Sequence, residues 1–248
     1  MKISIITVVY NNKRTIKDAI SSVFEQTFEN IEHIIIDGGS TDGTKEILEE
    51  EYSKYKVLVS EPDNGIYDAM NKGISLATGD VIGILNSDDI YEDDKVLQDV
   101  MTFFETDPEL SILYGDLVYV QSNNLNKAVR NWISRPYYKR FFENGNVPPH
   151  PTLFVKSIVY QQIGLFNLQY KLAADYEFML RVFKRNIFKS RYLNRLLVRM
   201  RLGGATNKSF KNILNGNKEI INAWKNNQLI PPIFLIFTRF YKRVIQFF

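Results

Sequence analysis

Segments of strand character and segments of helical spacing alternate through residues 1–107, and few folds accept that order. Residues 3–9 are a β-rich run. Residues 14–24 place Ile16, Ala19, Ile20 and Val23 on one helical face. An Ile-rich strand over 32–37 stops at the turn Gly38-Gly39-Ser40, and Asp42 is positioned to cap a helix over 43–52. The same reading gives strands at 57–60 and 81–85, and helices at 64–77 and 93–104, the last running up to Asp107-Pro108. The expectation is an α/β fold with a doubly wound, mainly parallel sheet. Right-handed crossovers then gather the strand ends and their loops on a common edge, where open α/β sheets bind their ligands.

The second half is less regular. One or two strands are expected around Gly115 within 110–120, a strand at 152–155, a helix at 174–183, a long strand or turn region at 191–201 and a polar helix at 208–226; 131–146 is polar and aromatic. The chain divides into a main region, 1–207, with a regular first half (1–107) and an α+β second half (108–207), followed by a basic helical extension, 208–248. After Pro231-Pro232, a helical wheel gathers Ile233, Phe234, Phe237, Phe240, Tyr241, Val244, Ile245 and Phe248 on one side, with Arg239, Lys242, Arg243 and Gln246 opposite.

Zero Cys excludes disulfides, thiol catalysis and thiolate metal sites, and fits a reducing compartment. The N-terminal apolar run is too short for a signal peptide core, and no apolar segment reaches the roughly 18 residues of a membrane span. The expected location is cytoplasmic, peripheral on the inner face of the cell membrane. The net charge of +3 hides an asymmetry: residues 181–248 hold 15 Lys and Arg against one acid, Glu219, whereas 1–180 hold 16 bases against 27 acids. Such a split suggests that the back end faces something anionic. The acidic front and the lack of binding motifs argue against nucleic acid.

Four loops converge if the sheet forms. Thr7-Val8-Val9-Tyr10-Asn11-Asn12 could receive a flat base, or be an ordinary strand exit. In Asp37-Gly38-Gly39-Ser40-Thr41-Asp42-Gly43-Thr44 the glycines allow close backbone approach, and Asp37 can accept from a base or ribose while Asp42 caps. In the third loop, Asn64-Gly65 precede a helix whose free N–H groups favour an anion; Lys72 lies further along. In Asn86-Ser87-Asp88-Asp89 an apolar strand ends at two carboxylates, a hard oxygen site for Mg²⁺ or Mn²⁺ bridging to phosphate, or a helix cap.

Together, in this order and at this spacing, these motifs resemble the family 2 glycosyltransferases of the GT-A fold over about residues 1–205, most strongly over the first 95. The stretch from Ser60-Glu61-Pro62-Asp63 to Asn71-Lys72-Gly73 looks like the subgroup that builds bacterial surface polysaccharides, including colanic acid enzymes. The resemblance implies a base pocket lined by Thr7 and Tyr10, with Asp37 on the base; Asn11, Asn64, Gly65, Lys72 and Asn86 fall in the matched donor-binding motifs. It implies that Asp88 and Asp89 end a metal-binding motif whose first acidic position is Asn86 here. The general base would be Asp175, in Leu172-Ala173-Ala174-Asp175-Tyr176-Glu177, although the usual preceding acid is Ala174; Glu177 is the alternative base. His150 would contact acceptor or phosphate, or be structural. Gly203-Gly204 would shape a phosphate-facing loop, or merely turn the chain.

The implied reaction is inverting transfer of a sugar from a nucleotide diphosphate sugar, a UDP-sugar above all, to a hydroxyl of a glycan or lipid-linked acceptor in polysaccharide biosynthesis. The alternatives are a metal-dependent nucleotidyltransferase and an inactive nucleotide-sugar or membrane binding module. Tyr10-Asn11-Asn12 lacks the Gly-rich basic loop that suits the first, and Asp88, Asp89 and Asp175 argue against the second. Residues 232–248 suit an anionic membrane surface or packing on the protein's own domain, and a homo-oligomer is left open.

Overall fold

The structure, a computed structural model, describes residues 1–203 and 210–246. Among the described residues, nine strands form one mixed sheet. Its first part is parallel: β1 (Ile3–Val9), β2 (Ile31–Asp37), β3 (Val57–Ser60) and β4 (Val81–Ile84) lie in the spatial order β3-β2-β1-β4. β1 is buried along its whole length. Ile6 and Val8 enter one core, with Ile34 and Ile36 of β2, while Ile3, Ile5 and Val9 face the other side. A strand apolar on both faces belongs in the middle of a covered sheet.

Beyond β4 the pattern becomes mixed. β8 (Phe154–Lys156) runs antiparallel between β4 and β6 (Leu110–Gln121); β9 (Lys189–Arg201) is parallel to β6 and antiparallel to β5 (Asp89–Tyr91). β7 (Asn124–Trp132) pairs with β6 through a turn too short for anything but an antiparallel hairpin. The parallel expectation thus describes the first half. β5, β7 and the short helix α5 (Ser157–Ile163) carried no readable signal. β7 is polar and largely exposed, and its place is fixed by backbone pairing.

Helices cover both faces. α1 (Ile16–Phe24), α2 (Thr44–Glu50) and α4 (Val96–Thr106) pack on the side of Ile3, Ile5 and Val9. α3 (Ile66–Leu76), α5, α6 (Ala174–Arg185) and α7 (Phe210–Asn226) pack on the other. A Cβ at Gly73 of α3 would overlap Ile6 Cγ2, so a glycine lets this helix lie hard against β1. The extension joins the same core: Ile220, Ala223 and Trp224 of α7 and Leu235 of α8 (Leu235–Ile245) are buried in it.

Much of the charge asymmetry is satisfied inside the molecule. Arg195 pairs with Asp93 and Asp99, Arg199 with Glu92, Arg201 with Asp18, Lys189 with Asp107, and Lys184 with Glu143. β9 carries its bases to acids of the front half. Among the described residues, the ion pairs include no base from α7 or α8.

Candidate active site

The loops after β1, β3 and β4 border a cleft of about 1580 Å³ at the carboxyl ends of these strands, and the loop after β2 packs against the first of them. Their residues tie one loop to the next. Asn11, in a left-handed conformation with φ 48°, accepts from the Thr41 N–H at 2.8 Å, and its own N–H donates to Ser40 Oγ at 2.8 Å. Asn12 Nδ2 donates to Ser87 Oγ at 2.9 Å, and Thr15 Oγ1 to the Ser87 carbonyl at 2.8 Å, joining the first loop to the fourth. Asp42 accepts from the Thr44 N–H at 3.0 Å at the start of α2.

Tyr10 is 64% exposed at the cleft, next to Gly38 and Asp63. Thr7 and Asp37 lie below it, fully buried. The Thr7 hydroxyl meets His33 Nε2 at 2.9 Å, and the Asp37 carboxylate accepts from the Ser40 and Ser60 hydroxyls. Gly65, at φ 112° and ψ 171°, makes the turn into α3 in a conformation essentially reserved for glycine. Beside it, Asn64 donates its N–H to Asp68 at 2.9 Å. Lys72 reaches away from the cleft lining to Glu61 at 2.7 Å and the Pro62 carbonyl at 3.1 Å.

Neither Asp88 nor Asp89 caps a helix. Asp88 borders the cleft, and Asp89 opens β5 fully buried. Burial, reinforced by the neighbouring Asp88 carboxylate, pushes Asp89 well above the usual carboxylate range. Asn86 Nδ2 donates to Asp89 Oδ2 at 2.9 Å, yet Asn86 Oδ1 and Asp89 Oδ1 are buried with no hydrogen-bond partner. These orphaned acceptors, an amide oxygen and a carboxylate oxygen beside the Asp88 carboxylate, form an oxygen-rich corner with unmet demand for positive charge. Among the described residues no cluster of three or more His, Cys, Asp or Glu side chains is arranged for a metal. The donor set therefore suits a hard divalent ion that takes one or two carboxylates and completes its shell with phosphate and water.

Asp175 borders the same cleft, from the first turn of α6. Ala173 is the N-cap and makes no side-chain cap bond, so Asp175 is not spent on capping. Tyr67 of α3 donates its hydroxyl to Asp175 Oδ1 at 2.9 Å. Burial, then the Asp175 charge, raise the Tyr67 hydroxyl well above the usual phenol range. His150 also borders the cleft, packed edge-on against Phe166; burial lowers its pKa and the Asp175 charge partly opposes that. Glu177 turns the other way, buried, with its oxygens on Arg181 Nε at 3.0 Å and Asn227 Nδ2 at 3.0 Å. Gly203 borders the cleft at φ 132°; Gly204 lies outside the described residues.

Several side chains at the site carried no usable sequence signal. Glu219 of α7 accepts the N–H groups of Lys171, Leu172 and Ala173 at 3.0, 2.8 and 2.9 Å, fixing the chain that leads to Asp175. The Arg239 guanidinium of α8 lies 4.5 Å from the Tyr176 ring centroid, and that of Arg130 3.7 Å from Tyr119. Glu219 stands out in the sequence as the lone acid of the basic back half, but nothing there shows what it holds; the arginines are indistinguishable from solvated charges.

Comparison with known proteins gives the family and the fold. Residues 4–190 match the family Glycosyl transferase family 2. The chain is 30% identical over 195 residues to a PGL/p-HBAD biosynthesis glycosyltransferase of Mycobacterium bovis, covering 77% of this chain and 73% of the relative. It is 34% identical over 185 residues to an uncharacterized glycosyltransferase of Mycobacterium tuberculosis, covering 72% and 68%. Among solved structures, S. aureus TarS 1–349 in complex with UDP-GlcNAc superposes with a TM-score of 0.70 at 18% identity, covering 98% of this chain and 69% of that one. The chain spans 40% of a longer TarS structure, at a TM-score of 0.64 and 20% identity over 90% of this chain. The mannosyltransferase PcManGT from Pyrobaculum calidifontis, in complex with GDP-Man and Mn²⁺, gives 0.68 at 15% identity, with 97% and 69% covered. At such identities the structures attest the fold alone. The family match spans most of the chain, and this protein belongs to glycosyl transferase family 2.

Proposed function

We propose that this chain transfers a sugar, with inversion, from a nucleoside diphosphate sugar, with uridine as the base, to a hydroxyl of a glycan or lipid-linked acceptor in polysaccharide biosynthesis. One observation carries the reading: Asp88 at the end of β4 and Asp175 at the start of α6 border one cleft.

The base would lie against Tyr10, with Asp63 and the loop fastened by Asn11 and Asp37 around it. Thr7, buried on His33, supports this floor from below. The N-terminus of α3, with Asn64 and Gly65, would face the anionic part of the donor. Asp88 and Asp89, with Asn86, would hold Mn²⁺ or Mg²⁺; when bound, the ion supplies the positive charge that stabilises a departing diphosphate. Asp175 would take the proton of the attacking hydroxyl, since it is a carboxylate at the cleft, held by Tyr67 and not consumed by a cap. With one base and no second carboxylate acting as nucleophile, displacement is direct and the anomeric centre inverts. His150 would stand beside the acceptor, and Gly203 beside the phosphates.

The test is turnover of a panel of UDP-sugars with Mn²⁺, read as UDP release, followed by NMR of the product linkage. Product of inverted anomeric configuration is expected. Retention of configuration, or turnover unaffected by chelation of divalent ions, would refute the mechanism.

A further inference from the structure

The extension is turned opposite to what its wheel suggests. The basic side of α8 faces the domain: Arg239 stacks on Tyr176, and Lys242, Arg243 and Gln246 border the cleft. The helix is fastened at both ends. Leu235 is buried in the core, and the Gln246 carbonyl accepts from the Asn131 N–H of β7 at 3.1 Å. Its aromatic side is left outside, with Phe234 70%, Phe237 68% and Phe240 64% exposed. Phe237 and Phe240 also border the cleft, so an apolar strip runs from the outer surface to its mouth.

Among the described residues, eight Lys and Arg border this cleft against three acids, Asp63, Asp88 and Asp175. Arg201 is engaged by Asp18 outside the cleft. The others exceed what the proposed donor requires. A diphosphate diester carries two negative charges and a divalent ion two positive ones, so that pair brings no net charge to neutralise the bases. Arg243 is close enough to repel both Arg130 and Arg239: burial first, and then the Arg243 charge, lowers the pKa of each. Arg239 Nη1 is buried with no hydrogen-bond partner. Like charges gathered beside a cleft, with a buried donor unmet, are a site for a second anion.

Resting on the transferase reading above, we propose that the acceptor is an amphiphilic phosphate ester: Arg239, Arg243 and Arg130 hold its phosphate, and its apolar chain leaves the cleft along Phe237 and Phe240. A cationic inner face and an aromatic outer face on one helix match a ligand in which a phosphate adjoins a hydrocarbon chain. The membrane is then the source of the acceptor, reached through the outward side of α8.

The test titrates the full chain with dodecyl phosphate below its critical micelle concentration, beside dodecyl maltoside, inorganic phosphate, and UDP with Mn²⁺. Dodecyl phosphate is expected to bind at least tenfold more tightly than inorganic phosphate or dodecyl maltoside. Arg239→Gln and Arg243→Gln should each weaken dodecyl phosphate about tenfold, with the UDP affinity changed less than twofold. Phe237→Ser combined with Phe240→Ser should weaken dodecyl phosphate but leave inorganic phosphate unchanged. Arg243 is exposed, so its variant tests the site even if Arg239→Gln melts early. Unchanged dodecyl phosphate binding in Arg243→Gln overturns the proposal. So does loss of UDP binding in that variant, which would give the cations to the donor. A wild-type chain that binds dodecyl phosphate but not UDP with Mn²⁺ would instead refute the donor reading.

Discussion

Asp88 and Asp89 are neighbours in sequence but differ in environment, and their substitutions should differ accordingly. Asp88→Ala removes a carboxylate at the cleft; UDP-sugar turnover should fall at least 100-fold with the melting temperature nearly unchanged. Asp89→Ala should abolish turnover and also cost about 1–3 kcal/mol, because the buried Asn86 amide loses its acceptor. Equal melting temperatures for the two variants would contradict the contrast. Asp175→Asn should lower transfer by roughly 10²–10⁴-fold with the UDP affinity retained, and Tyr67→Phe should have a smaller effect of the same kind. Full transfer by Asp175→Asn would put the base elsewhere. The acids at strand and helix ends were readable because their position relative to an element is a sequence property. Which way they face was not: Glu177 follows Asp175 by about 200° of helix rotation, so α6 aims the two at opposite surroundings. Thr7 likewise shares the inward parity of Ile5 and Val9, on the side where His33 waits in β2. Burial holds His33 at a pKa of about 3, against 6.5 for the exposed ring. Between those values the unfolded chain binds a proton that the folded chain does not. Stability should therefore be unaffected by His33 above about pH 6.5 and fall as the pH drops below it, by up to about 1.4 kcal/mol per unit. Urea unfolding at pH 7 and pH 5 should show this loss in the wild type and a smaller one in His33→Asn.

At the scale of elements, most of the parallel half was legible because each strand is apolar and each helix has one buried stripe. β5 and β7 were not, since a three-residue strand and a polar one acquire their identity from partners far away in sequence. The same reason hid the contribution of α7. Its Glu219 receives three successive N–H groups immediately before α6, and Trp224 Nε1 donates to Tyr176 Oη at 2.9 Å. α7 is therefore the splint that sets the first turn of α6, and Glu219 is a positioning residue for Asp175. Glu219→Ala should strand these N–H groups, costing about 1–3 kcal/mol, and lower kcat for transfer about tenfold while the donor KM stays within twofold. Glu219→Gln keeps one acceptor oxygen and should recover part of kcat. A variant whose kcat is unchanged despite a lower melting temperature would leave Glu219 with a purely structural role.

On the scale of the whole molecule, charge and apolar surface are distributed differently from what composition suggests. Lys189, Arg195, Arg199 and Arg201 of β9 are answered by acids of the front half, and Arg181 and Lys184 of α6 by Glu177 and Glu143, so much of the apparent anion-seeking character is intramolecular. No helix among the described residues is long and apolar enough to cross a membrane. What remains on the outside is the aromatic side of α8, preceded by Ile230 at 89% and Ile233 at 94% exposure. A contiguous patch of this kind marks a contact surface, and aromatic side chains suit a lipid interface. Because Arg239 is turned inward, attachment should depend on the apolar side more than on lipid charge. The chain should sediment with neutral phosphatidylcholine vesicles, and raising the salt from 50 to 500 mM should reduce this only slightly. Phe234→Ser combined with Phe237→Ser should abolish sedimentation without changing the melting temperature, since both side chains are exposed. Deleting residues 232–248 should abolish it and also lower the melting temperature, because Leu235 leaves the core and Tyr176 loses Arg239. If the truncated and intact chains sediment alike, α8 is only a wall of the cleft, and its exposed aromatics must be covered by something other than lipid.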